Sequence, residues 1–123
     1  MNAVETLERI QSFKELKDGW FDGNGEAPSH IVCDMVSRLI EEFGKQDVEL
    51  PAVFPMHMGG VALEWSGSTR AIDAAFYNDG SVCMSATMNL DKEFAEVVMH
   101  DYEYTITDSD LFVNAVRVYK EHT

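Results

Sequence analysis

The chain predicts an α+β fold: two N-terminal helices, an antiparallel β-meander of three to four strands, and a C-terminal helix. Apolar residues first recur at helical spacing. Beyond Pro51 they alternate with polar or small residues, as in half-buried strands. Short turn signals separate the alternating segments, and connections that short make neighbouring strands antiparallel.

In the first helix, expected over residues 3–16, Val4, Leu7, Ile10, Phe13 and Leu16 form the stripe that needs a partner surface. The stretch from Asp18 to Pro28, Asp-Gly-Trp-Phe-Asp-Gly-Asn-Gly-Glu-Ala-Pro, is rich in residues that accept positive φ. It reads as an ordered loop rather than a linker, because Trp20 and Phe21 are large enough to pin it to a core. Ser29 follows as the N-cap of a second helix with the stripe Val32, Val36, Leu39, Ile40 and Phe43, which Gly44 is placed to end as its C′ residue.

Val61, Leu63 and Trp65 mark one strand, and Ile72, Ala74 and Phe76 a second. Residues 82–88 supply the third. The turns between them are Gly59-Gly60, Ser66-Gly67-Ser68 and Asn78-Asp79-Gly80-Ser81, with Asp79-Gly80 fitting a type I′ hairpin. Residues 97–105 read as a fourth strand, with a short helix from Asp91 through Phe94, Val97 and Val98 as the competing pattern. Thr107 or Asp108 caps the last helix, whose shared face is Leu111, Phe112, Ala115, Val116 and Tyr119.

Composition fits one domain over residues 1–123: at 46% hydrophobic and 25% charged residues the chain has the make-up of a packed core, not of a disordered segment. No apolar run reaches the length of a membrane span, and the N-terminus reads as an amphipathic helix rather than a leader, so the expected location is the cytoplasm of a bacterial host cell. Cys33 and Cys83 lie in no metal-binding spacing and are expected to be reduced, buried and inert.

No catalytic, cofactor or metal site emerges from the residues. His30, His57, His100 and His122 stand in no recognised motif, and His57-Met58-Gly59-Gly60, faintly like an oxyanion loop, has no G-x-S-x-G elbow to serve. His100 and Asp101 are adjacent, which in a strand sends them to opposite faces. Asp18, Asp22, Asn24 and Glu26 have the composition of a calcium loop but not its spacing. The glycines among them are followed by no Lys-Ser/Thr, so they form no phosphate cradle. Trp65 reads as core and so does Trp20, with an interface anchor as the alternative for Trp20 and Phe21. Met56, Met58, Met84 and Met88 read as gap-fillers around the sheet.

Charge is the unusual quantity. Twenty-two Asp and Glu against nine Lys and Arg leave a formal −13. Such a chain repels nucleic acid and anionic membranes, and its scattered cations make no basic footprint. Between Asn89 and Asp110, the acids Asp91, Glu93, Glu96, Asp101, Glu103, Asp108 and Asp110 face Lys92 alone, a local −6. A field of that density opposes compaction, so selection for stability alone would weaken it.

The Asp18–Pro28 stretch, followed later by Gly59-Gly60-Val61-Ala62-Leu63-Glu64-Trp65, resembles a pattern of small uncharacterised bacterial and phage proteins: a GWxDGxGxxP-like loop before a helix and a GGVxLEW strand after it. The resemblance covers residues 4–88. It implies a shared fold and a mobile-element setting, and it transfers no site residues. In size and charge alone the chain is also similar to anti-CRISPR inhibitors.

The expected function is therefore binding without catalysis. An acidic inhibitor would occlude a basic, nucleic-acid-handling enzyme by imitating a phosphate array, with the seven acids of residues 91–110 as partner contacts. The alternatives are an antitoxin or immunity-type partner of a toxin, and a small enzyme using His57 or His100. An edge strand near the C-terminus leaves a homodimer open.

Overall fold

A computed structural model describes residues 2–66, 70–88 and 96–102, with the backbone alone at 70, 86–88 and 96–102. Helix α1, Ala3–Ser12, opens with the Asn2 side chain accepting from the Glu5 amide. It tightens into a 3-10 turn at Phe13–Glu15, and Leu16 is already extended, so the expected single helix is shorter and ends in a different geometry. Ile10 and Phe13 are buried as the stripe requires, but Val4 is 63% exposed. Thr6 takes the buried place instead, its hydroxyl donating to the Asn2 carbonyl.

Helix α2, His30–Lys45, is capped by Ser29, whose hydroxyl accepts from the Val32 amide. It does not stop at Gly44. The helix runs on to Lys45, and the left-handed residue is Asp47, at φ 57°. The Val48 amide then donates to Phe43 and the Asp47 amide to Gly44, the paired bonds of a Schellman motif in which Asp stands where Gly was expected.

The sheet has five strands in sequence order, all antiparallel: β1 Ala52–Pro55, β2 Gly60–Ser66, β3 Arg70–Tyr77, β4 Val82–Met88 and β5 Glu96–Tyr102. The expected three to four strands are thus corrected to five. The addition, β1, follows Pro51, ends at Pro55 and, at four residues, is too short to display an alternation. Residues 96–102 take the strand rather than the helical pattern. The Ser66-Gly67-Ser68 turn falls largely outside the described residues, and the expected C-terminal helix lies wholly outside them.

Helices α1 and α2 pack on one face of the sheet, α1 against β1 and α2 against β2 and β3. Val53, Val61, Leu63, Trp65, Ile72, Ala74, Phe76, Val82 and Met84 are buried there with Phe43, Ile40 and Val36 of α2. Each large apolar side chain fully withdrawn from water contributes about 1.5–3 kcal/mol, which makes this layer the main source of stability. Trp65 is core, edge-on to Phe43 at 5.4 Å, and its indole N–H reaches the Glu49 carbonyl at 2.7 Å. At the sheet edge Arg9 donates to the Val53 carbonyl and lies over the Phe13 and Phe54 rings, which ties β1 to α1.

Neither cysteine is in a disulfide. Cys33 is buried, which pushes its thiol pKa up and keeps it protonated. Cys83 differs from expectation: it belongs to the face away from the helices and is half-buried.

Candidate functional site

Three loops meet at the end of the sheet where α2 begins. The first, Asp18 to Pro28, is a built structure. Phe21 and Asn24 exchange both backbone hydrogen bonds across Asp22 and Gly23, whose φ values are 50° and 84°. Positive φ at both corners is the type I′ turn, and Asp-Gly is its preferred pair. Outside that turn Gly19 donates to the Gly25 carbonyl, the Asp18 carboxylate accepts from the Ala27 amide, and the Trp20 indole donates to the Glu26 carbonyl at 3.0 Å. Asp18 is thereby engaged within the loop. Trp20 is half-buried, and Phe21 is 54% exposed, so the loop is held by its own hydrogen bonds more than by aromatic residues sunk into the core.

The other two loops share one design. In each, an amide donates across a three-residue connection, Met56 to Gly60 and Tyr77 to Ser81, and a glycine amide donates back, Gly59 to Met56 and Gly80 to Tyr77. Gly59 and Gly80 have φ of 86° and 91°. Asn78 and Asp79 have no positive φ, so the expected type I′ turn at Asp79-Gly80 is instead a three-residue turn closed by a left-handed glycine. The Asp79 carboxylate accepts from both the amide and the hydroxyl of Ser81, bonds that hold its pKa below the usual range.

Asn78 fastens the loops together. Its side-chain carbonyl accepts from the Ser29 amide, 49 positions away in the chain, and its amide group donates to the Ala27 carbonyl. The Glu26 amide donates to the His57 carbonyl at 2.9 Å, and Glu26 bridges Met58 in parallel. The stretch from Asp18 to Pro28 and the Gly59-Gly60 segment, separate in the sequence, thus form one body.

That body exposes two large apolar residues, Phe21 and Met58, and the His57 ring. Phe21 stands edge-on to Trp20 at 5.7 Å and tilted over His57 at 5.9 Å. Met58, read as a core gap-filler, is 56% exposed, whereas Met84 is buried. Asp18, Asp22, Glu26 and Asp79 are exposed around these groups, and the three loops contain no Lys or Arg.

Of the seven acids singled out from charge, Glu96 and Asp101 lie on β5, opposite Met88 and Cys83. An odd separation along a strand assigns these two positions to opposite faces, so β5 does not gather them onto one side. Asp91, Glu93, Glu103, Asp108 and Asp110 lie outside the described residues. A second acidic feature emerges only from register: Glu64 and Asp73 face each other across β2 and β3, away from the helices. Desolvation raises the pKa of Glu64, and the hydrogen bond and negative charge of Asp73 raise it further.

The described histidines lie on different elements. His30 is exposed, with Nε2 3.2 Å from the Lys14 carbonyl; His57 is at the three-loop end; and His100 and Asp101 occupy alternate faces of β5. His122 is outside the described residues. Among the described residues no group of three His, Cys, Asp or Glu side chains converges to hold a metal ion, and no helix is long and apolar enough to cross a membrane. Comparison with protein-family models, curated proteins and solved structures finds no match to this chain.

Proposed function

We propose that the protein acts by binding, as an acidic inhibitor that occludes a basic, nucleic-acid-handling enzyme, with the carboxylates from Asp91 to Asp110 contributing to contact. The observation that carries this reading is the uncompensated charge of −13. Two salt bridges occur among the described residues, Lys14–Asp34 and Lys45–Glu42, and both are at the surface, where such pairs add little stability. Arg9 is directed at a carbonyl and two rings instead of a carboxylate. Glu64 and Asp73 stand opposite each other, an arrangement that stability alone disfavours. A cationic partner would relieve this field, and its approach would be accelerated by it.

The test is capture of a basic partner from bacterial lysate at low and at high salt, followed by inhibition of that partner's nucleic-acid binding. Asp101→Asn, Glu103→Gln, Asp108→Asn and Asp110→Asn combined should weaken capture by about tenfold or more, the equivalent of roughly 1.4 kcal/mol, while circular dichroism stays unchanged. Equal binding and inhibition by the quadruple variant would remove the assigned role of residues 91–110. Capture that does not weaken with salt would remove the electrostatic reading altogether.

A further inference from the structure

We infer that the three-loop end is a docking surface for an arginine-bearing face of a protein partner, with the exposed apolar residues Phe21 and Met58 and the His57 ring as contact groups and the exposed carboxylates Asp18, Asp22, Glu26 and Asp79 of the same loops as anionic contacts. This rests on the partner being basic, and it locates the contact at a place the charge tract does not.

Three observations converge on it. Phe21 and Met58 are each more than half exposed and lie at the tips of loops that Asn78 and Glu26 hold together, whereas isolated exposed apolar residues are usually scattered. The aromatic groups are presented in a fixed arrangement: Trp20 is tethered to the Glu26 carbonyl and stands edge-on to Phe21, and the Phe21 backbone is locked in a type I′ turn. A surface ordered before contact loses less conformational entropy on binding. The acidic and basic side chains of the three loops are carboxylates alone, with Lys17 flanking the first loop, a balance that disfavours phosphate and favours a cation. Among cationic side chains a guanidinium suits the place best. Its plane stacks on an aromatic ring while its N–H groups pair with the carboxylate of Asp22 or Glu26, and an ammonium lacks that planar face.

The loop also accounts for its own composition under this reading. The type I′ geometry itself requires only the Asp22-Gly23 corner. Phe21 precedes the corner and is 54% exposed, a placement that buries less apolar area than a core position would.

The experiment titrates the labelled full chain with an arginine-glycine repeat peptide and, separately, its lysine-glycine counterpart, following amide and Trp20 indole N–H resonances. The expected result is shift changes centred on residues 20–24, 57–59 and 79, and several-fold tighter binding of the arginine peptide. Phe21→Ala combined with Met58→Ala should weaken the arginine peptide by about tenfold with the spectrum of a folded protein retained. Asp22→Asn with Glu26→Gln should weaken both peptides, and Glu41→Gln, near the far end of α2, should have a much smaller effect. Shifts centred on β5 or elsewhere, or unchanged affinity in the Phe21 and Met58 double variant, would overturn this surface while leaving a basic partner in place. Absence of binding by either peptide at low salt would count against the basic partner itself.

Discussion

At Gly60 the backbone of β2 passes so close to β3 that a Cβ would lie 2.1 Å from the Phe76 carbonyl oxygen, and φ there is 129°. Both facts forbid a side chain, since the obstruction is backbone and cannot rotate away. Gly60→Ala should therefore cost about 3 kcal/mol or more, adding strain to overpacking, and chemical denaturation would measure it. At the neighbouring Gly59 a Cβ would lie 2.6 Å from the Asn78 side-chain amide and 2.8 Å from the Glu26 carboxylate, groups of two other loop segments. The Gly-Gly pair was legible as a turn. Its obligate character was not, because the atoms that require it belong to residues distant in the chain.

At the scale of elements, α2 shows how a correct stripe can carry a misplaced end. Val32, Val36, Leu39, Ile40 and Phe43 are all buried as their spacing requires. Gly44, however, is helical, and a Cβ there would meet open space. Gly44→Ala should stabilise the protein by about 0.5–1 kcal/mol, through the lower entropy of the unfolded chain, whereas a glycine serving as the C′ residue would give the opposite sign. A thermal melt of the single variant decides between them. Local composition favoured Gly44 as the stop, but the position of the turn is set by packing: Val48, directed back to the Phe43 carbonyl, joins the core cluster and so places the left-handed residue at Asp47. The Asp-Gly pairs carry a related lesson. Asp22-Gly23 makes the type I′ turn, while Asp79-Gly80 is drawn into a longer connection in which Asn78 is free to reach the first loop.

For the whole molecule the governing quantity is self-repulsion. Glu64 titrates higher in the folded chain than in the unfolded one, so its protonated form favours folding. That contribution is complete below the ordinary value of 4.5 and is lost as pH rises through the raised folded value. Glu64→Gln should consequently raise stability at pH 7 by about a few tenths of a kcal/mol after allowance for solvent screening, with the gain shrinking toward pH 4. Denaturation of parent and variant at the two pH values checks the sign, and an equal gain at both would exclude the titrating pair as its cause. Added sodium chloride should raise the parent's melting temperature as well, because a Debye length of about 10 Å at 0.1 M salt screens a field that the folded state concentrates.

What the sequence determined by itself was whatever depends on neighbours along the chain: the α2 stripe, the alternating strands β2 and β3, the N-cap at Ser29, the core position of Trp65 and the acidic balance. Hydrophobic period and capping are local, so they survive without knowledge of the fold. Tertiary structure alone decided that β1 completes the sheet, that Glu64 faces Asp73, that the Phe21 and His57 rings meet, and that Glu26 bridges Met58. Those outcomes follow from strand register and from which hairpin ends lie side by side, and register is a relation between segments that no single segment encodes.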